Sequence, residues 1–174
     1  MSKNSRSMPL YRLVLCGFLV ALSIVCGKFL QLPIGEAMRF SLENLPVLFA
    51  GLTFGPLSGA LVGVTADLLG CLMVGYAINP LVTVGAAAIG LLAGVGGVLM
   101  RRLPMGVRVS LSVAVAHLVG SVVIKTVGLA QYYALPLVAL MGWRLLNYAI
   151  VGTVEAVLLC LLLRHKGLQR MMGG

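Results

Sequence analysis

Residues Leu45–Tyr76 read LPVLFAGLTFGPLSGALVGVTADLLGCLMVGY, and this stretch decides the fold. The apolar run is longer than the ~20 residues that one helix needs to cross a bilayer. Gly55-Pro56 interrupts it, and proline both lacks a backbone N–H and restricts the residue before it. The stretch therefore predicts two helices, a short one over 42–54 and a longer one over 57–74.

The rest of the chain is equally apolar. Its 174 residues are 60% hydrophobic and 10% charged, with a mean hydropathy of +1.09. A soluble domain needs more polar surface, so lipid is the expected solvent. Four further apolar segments predict helices over 10–32, 80–100, 107–132 and 136–163. The predicted fold class is an all-α membrane protein, a bundle of six transmembrane helices in one integral-membrane domain over 1–174.

The basic residues support this division of the chain. With six spans and both termini in the cytoplasm, most of the 13 Lys and Arg residues lie at cytoplasmic helix ends, as the positive-inside rule requires. A single span over Leu45–Tyr76 would export both the Arg101–Arg108 cluster and the basic C-terminal tail. Membrane orientation thus accounts for the net charge of +9, and nucleic acid is not expected as a partner.

Four basic residues are instead predicted on or just below the outer side, and these are Lys28, Arg39, Lys125 and Arg144. The orientation rule disfavours them there, so another interaction is needed to hold them. Arg39, Lys125 and Arg144 together favour an anionic solute over a cation. Two alternatives stay open, because Lys125 could snorkel to water and the outer loop around Arg39 could be a solvated connector.

The last helix opens with polar side chains on one face. Arg144, Asn147 and Tyr148 are spaced i, i+3 and i+4, so they share that face. A guanidinium, an amide and a phenol suit a planar, anionic ligand that forms hydrogen bonds. Trp143 and Tyr148 would fit an interfacial aromatic belt equally well.

Two carboxylates are predicted inside membrane helices. An ionised Asp67 or Glu155 in hydrocarbon costs several kcal/mol, so both should face the bundle interior. Either a buried ion pair or a polar pocket would satisfy them. His117, Ser121 and Lys125 follow one stripe of the fifth helix, where His117 is interpreted as a packing residue rather than a proton carrier.

Enzyme chemistry is not expected. Six spans at ~20 residues each leave no room for a catalytic extramembrane domain. The sequence has no Walker A motif, nucleophile elbow, zincin motif or paired-cysteine motif. We therefore expect no catalytic residue, no metal site and no bound cofactor. A small proton-coupled secondary transporter using Asp67 or Glu155 is an alternative, although such carriers commonly contain internal repeats and none is evident here.

A family resemblance lies in Arg39–Pro80, RFSLENLPVLFAGLTFGPLSGALVGVTADLLGCLMVGYAINP. This run resembles the substrate-binding S components of energy-coupling factor (ECF) vitamin transporters, especially the folate-family branch. The segments LPVLFAGLTFGP, GALVGVTADLLG and GYAINP carry the resemblance. The second half of the chain is similar only in general character, through Arg144 at the start of the last helix.

The resemblance implies a multi-pass protein of a prokaryotic plasma membrane that captures a vitamin, folate first, from outside. It also implies docking onto an ECF transmembrane coupling protein and two ATPase subunits, which use the ATP. Gly17 and Ala21 form the nearest match to the small-xxx-small docking motif, which usually has two alanines. An S component for another vitamin or heterocyclic precursor is the alternative.

Folate chemistry suits the residues already singled out. The two carboxylates of its glutamate tail would meet Arg39, Lys125 and Arg144, and Asp67 would accept from the pterin N–H groups. The remaining candidates would stack on the ring or match its polar edge. The predicted substrate-binding residues are Arg39, Asp67, Tyr76, Asn79, Lys125, Trp143, Arg144, Asn147 and Tyr148.

Overall fold

The computed structural model describes residues 10–33, 39–134 and 136–165. Nearly all the regular structure in these ranges is helical. Two of the helices continue directly into π-helical segments, here called the first π segment (Val25–Phe29) and the second π segment (His117–Ile124). The α-helices are α1 Leu10–Ile24, α2 Asn44–Phe54, α3 Pro56–Val74, α4 Pro80–Leu99, α5 Met105–Ala116, α6 Lys125–Tyr133 and α7 Leu137–Leu163.

Five continuous helical rods are long and apolar enough to cross a membrane. They are Leu10–Phe29, Pro56–Val74, Pro80–Leu99, Met105–Tyr133 and Leu137–Leu163. The sixth, α2, has 11 residues and rises only about 16 Å, roughly half of a ~30 Å hydrocarbon core. An all-helical membrane protein is thus confirmed, whereas six crossings and cytoplasmic termini stay predictions.

The break at Gly55-Pro56 separates α2 from α3, as the sequence predicted. Gly55 has φ 97°, a conformation that only glycine adopts cheaply, and Pro56 begins α3. Small residues let α2, α3 and α4 approach closely. A Cβ added to Gly90 would collide with the carbonyl of Gly59, and one added to Gly51 would collide with that of Gly90.

The first predicted helix, 10–32, is too long by three residues, since its rod ends at Phe29. Leu32–Pro33 instead forms a short strand, β1, antiparallel to Arg39–Phe40, which is β2. Proline disfavours α geometry in the residue before it, and Leu32 precedes Pro33. The all-α prediction therefore missed a two-residue strand pairing in the loop between α1 and α2.

Predicted helix 107–132 is also not a uniform α-helix. It contains the second π segment, where the N–H of Lys125 bonds back five residues to the carbonyl of Gly120. Hydrophobic periodicity does not distinguish this winding from an α-helix over so short a length. The other predicted helix boundaries lie within two residues of those observed.

Candidate functional site

A charged cavity lies where the end of α1, the start of α2, the second half of α3 and the start of α6 come together. Its volume is about 30 Å³, enough for one or two water molecules. Two carboxylates and two ammonium groups line it. The lining residues are Ser23, Ile24, Gly27, Lys28, Glu43, Asn44, Val47, Gly63, Ala66, Asp67, Ala86 and Lys125.

Glu43 and Lys125 form the ion pair of this cavity. Lys125 Nζ lies 3.3 Å from Glu43 Oε1, and the lysine is only 5% exposed. The Glu43 carbonyl accepts a 2.6 Å hydrogen bond from Ser23 Oγ. Gly27 leaves space for the Glu43 side chain, because a Cβ at position 27 would lie 2.8 Å from the Glu43 Cβ. Residues of α1 and α6 thus hold Glu43 from two sides.

The charge of Glu43 is favoured by its surroundings. Burial by itself would raise the pKa of the Glu43 carboxyl, but Lys125, Lys28 and Arg144 outweigh burial and hold that pKa below its usual range. The carboxylate is therefore ionised at neutral pH. A ligand that enters this cavity meets a pre-formed negative charge beside Lys125.

The second pair of charges is arranged differently. Asp67 Oδ2 accepts a 2.7 Å hydrogen bond from Thr83 Oγ1, which ties α3 to α4. Lys28 Nζ lies 5.3 Å from the centre of the Tyr76 ring, a cation–π distance. The cavity thus has a balanced formal charge, with Lys28 and Lys125 opposing Glu43 and Asp67.

Asn79 links the start of α4 to the backbone of α6 beside a separate groove. Its Oδ1 accepts from the Leu81 N–H at 3.0 Å, so Asn79 caps α4. Its Nδ2 donates to the Gly128 carbonyl at 2.9 Å. An open groove of about 250 Å³ adjoins Asn79 and Tyr132. Both ends of the Asn79 amide are therefore occupied by protein contacts.

A second polar cluster joins α7 to the second π segment. Arg144 Nη2 donates to the Ser121 carbonyl at 3.1 Å and lies 3.4 Å from the Tyr148 hydroxyl. The Tyr148 ring stacks on His117, with 5.0 Å between ring centres. His117 Nε2 lies 2.5 Å from Glu155 Oε2, and His117 Nδ1 lies 3.0 Å from Ser121 Oγ. His117 and Glu155 are both buried.

The nine predicted binding residues are thus distributed over different surroundings. Asp67 and Lys125 line the charged cavity, whereas Arg144 and Tyr148 belong to the second polar cluster. Asn147 is half-buried, and its Oδ1 accepts no hydrogen bond from any described residue. Trp143 is 63% exposed on the outside of α7.

The remaining predicted residues are Tyr76, Arg39 and the docking pair. Tyr76 is exposed, and its ring centre lies 5.3 Å from Lys28 Nζ of the charged cavity. The backbone of Arg39 pairs with Pro33 in the short β-pairing, and the Arg39 side chain lies outside the described part of the chain. Gly17 and Ala21 are exposed on α1, and nothing lies within 4 Å of a Cβ built on Gly17.

Sequence reasoning missed Glu43 and Lys28 as cavity residues. Glu43 is not among the predicted binding residues, and Lys28 is predicted only to lie on the disfavoured side of the membrane. The sequence contained one indication of this role. Because only 4 of the 174 residues are acidic, an acidic residue beside a membrane helix is expected to have a partner. The partner, Lys125, is 82 residues away along the chain.

The fold and the cavity define a class of protein: a helical membrane protein with a small polar cavity. Among residues 10–33, 39–134 and 136–165, no three His, Cys, Asp or Glu side chains gather as metal ligands would. A family described as "ECF-type riboflavin transporter, S component" matches residues 7–166. The chain belongs to this family, whose members are substrate-binding transporter subunits and not enzymes.

Solved structures show the same fold. One, described as FolT bound with folic acid, superposes with a TM-score of 0.72 at 20% identity, covering 86% of this chain and 90% of that one. Another is described as the S component for biotin from an ECF-type ABC transporter. It gives a TM-score of 0.69 at 17% identity and covers 99% of both chains. No curated protein matches the chain.

Proposed function

We propose that residues 1–174 form one substrate-binding domain with six spans and both termini in the cytoplasm of a prokaryote. It captures a vitamin from outside the plasma membrane and delivers it through a shared ATP-driven coupling module. The observation that carries this proposal is the charged cavity of Lys28, Glu43, Asp67 and Lys125 within a largely apolar bundle. Ionisable groups inside membrane helices are costly, and they commonly mark a substrate path.

Folate is the first candidate ligand. The fold similarity to FolT with folic acid supports it, as does the chemistry of the predicted residues. The glutamate tail would pair with Arg39, Lys125 and Arg144, and Asp67 would accept from the pterin. Rings and amides would complete the site, and the residues proposed for these contacts are Tyr76, Asn79, Trp143, Asn147 and Tyr148.

Riboflavin is a second candidate, supported by the description of the matching family. Its flavin ring and hydroxylated chain carry no net charge, and two ammonium groups balance two carboxylates around the cavity. Biotin is a third candidate ligand, because the chain shares the fold of a biotin S component.

Ligand entry requires the cavity to open. Pockets for drug-sized ligands occupy ~300–1,000 Å³, roughly ten to thirty times the 30 Å³ present. Glu43 directly precedes α2. We propose that the start of α2 moves outward when the vitamin binds.

Delivery would depend on partners. Gly17 and Ala21 lie on an exposed face of α1, where a coupling protein could approach closely. We propose that this face meets the ECF transmembrane protein and that two ATPase subunits supply the energy. No cofactor is proposed for this chain.

Binding by the purified chain tests the proposal. We expect saturable binding of folic acid, riboflavin or biotin in detergent without ATP, measured by isothermal titration calorimetry. Uptake into liposomes should then require the coupling module and ATP. Failure to bind any of the three vitamins would contradict the proposal. Uptake by the chain alone under a proton gradient would instead support a secondary transporter.

A further inference from the structure

Glu43 occupies the position where an anionic ligand would be expected to bind. Its carboxylate lies 3.3 Å from Lys125 Nζ, the most deeply buried ammonium of the cavity. A carboxylate on a ligand can pair with this ammonium only by displacing Glu43. Glu43 therefore already balances the positive charge of Lys125 before a ligand binds.

The position of Glu43 is built into the bundle. Ser23 Oγ holds its backbone at 2.6 Å, and Gly27 provides the space that its side chain fills. Any side chain at position 27 would contact the Glu43 carboxylate, because a Cβ there lies 2.9 Å from Oε2. The ion pair is thus a packed feature of the fold.

Asp67 provides an internal comparison. It lines the same cavity and carries the same charge, but its carboxylate accepts from Thr83 Oγ1 at 2.7 Å. Neutralising Asp67 would change the charge of the cavity without releasing Lys125. A general electrostatic effect and a specific effect of the Glu43–Lys125 pair can therefore be separated.

We propose that Glu43 is a specificity-determining residue that acts as an internal counter-ion for Lys125 and selects against ligands carrying a carboxylate. The inference rests on the proposed vitamin-binding function and adds its charge preference. An anionic ligand must separate Glu43 from Lys125 and then lie beside a displaced carboxylate. A neutral ligand with N–H groups leaves the ion pair intact and donates to Glu43.

Matched ligand pairs test this on the unmodified chain. Biotin and biotinamide differ only in one neutralised carboxylate, and folic acid and its diamide differ only in two. For whichever pair binds, we expect the amide to bind about tenfold more tightly, the change produced by ~1.4 kcal/mol. Equal affinity, or tighter binding of the acid, would overturn the inference without any variant being needed.

Variants of Glu43 and Asp67 then show which carboxylate causes the preference for the amide. Glu43→Gln should abolish the preference for the amide, whereas Asp67→Asn should retain it. An equal loss of preference in Glu43→Gln and Asp67→Asn would overturn the inference and indicate a general charge effect. Thermal melting of each variant confirms folding.

The two proposals fail in different ways. If the chain binds none of these vitamins or their amides, the proposed function fails and the inference fails with it. If the chain binds a vitamin but Glu43→Gln keeps the wild-type preference, only the inference fails. The vitamin-binding function would then stand without a role for Glu43 in charge selection.

Discussion

Arg144 makes structural contacts at the edge of the proposed site. Its Nε and Nη2 both donate to the Ser121 carbonyl, at 3.3 and 3.1 Å, and its guanidinium lies 5.3 Å from the centre of the Tyr148 ring. The fork geometry of arginine makes this pair of hydrogen bonds possible, and lysine cannot reproduce it. Arg144 therefore joins α7 to the second π segment.

Replacement of Arg144 should separate these roles. Arg144→Ala removes the hydrogen bonds to Ser121 and should reduce the free energy of unfolding by about 1–3 kcal/mol, measured by thermal or denaturant unfolding in detergent. If Arg144 also contacts an anionic vitamin, binding should weaken by a further 1.5–3 kcal/mol, about the strength of a hydrogen bond to a charged group. Unchanged titration of a folded variant would remove Arg144 from the site.

The His117–Glu155 pair continues the contacts of Arg144 and Tyr148 into the bundle. Glu155 Oε2 contacts His117 Nε2, whereas Oε1 has no hydrogen-bond partner among the described residues. A buried carboxylate oxygen without a hydrogen-bond partner costs free energy. The contact between His117 and Glu155 nevertheless links α7 to the second π segment.

At the scale of elements, contacts between small residues hold α2, α3 and α4 together. Gly90 lies against the backbone of Gly59, and Gly94 lies against that of Pro56. Close approach allows dispersion contacts along the helix backbones, which is the main attraction available where lipid is as apolar as the side chains. The cavity depends on this packing, because α3 and α4 carry Asp67 and its partner Thr83.

Gly90→Ala should therefore destabilise the bundle. The added methyl group meets the Gly59 carbonyl, and overpacking of this kind costs about 1–3 kcal/mol. Gly106→Ala is the matched control, since nothing lies within 4 Å of a Cβ on that helical residue and helix propensity favours alanine by about 1 kcal/mol. Unfolding measurements that give the two variants equal stability would contradict this account of the packing.

The two π segments are a second feature of the helical elements. The first contains Lys28, and Lys125 follows directly after the second. π-helical turns are rare and occur frequently at functional sites. In this protein they change the helix winding beside both cations of the charged cavity.

For the whole molecule, binding and transport should involve different surfaces. The charged cavity lies inside the bundle at one end, whereas Gly17 and Ala21 face outward from α1. The space around Gly17 is open within this chain. Capture of a vitamin and docking of the coupling protein can therefore be impaired separately.

Gly17→Leu should block uptake while leaving vitamin affinity unchanged within twofold. The larger side chain would keep the coupling protein from approaching α1, but it contacts nothing in the cavity. Binding is measured on the purified variant, and uptake is measured in liposomes containing the coupling module. Full uptake by Gly17→Leu would show that this face does not dock the partner.

The sequence by itself determined the membrane class, the division at Gly55-Pro56 and the approximate helix boundaries. These features depend on local properties: apolar length, the missing N–H of proline and the conformational freedom of glycine. Family membership was also accessible, because the run from Arg39 to Pro80 carries its motifs within one continuous stretch.

Only the tertiary structure decided which charges meet. Lys125 pairs with Glu43 across 82 positions, and His117 pairs with Glu155 across 38. Depth in the membrane placed Asp67 and Lys125 near a polar site, but rotation of each helix about its axis selects the partners. That rotation depends on the packing of neighbouring helices and on the π segments, so no local pattern specified it.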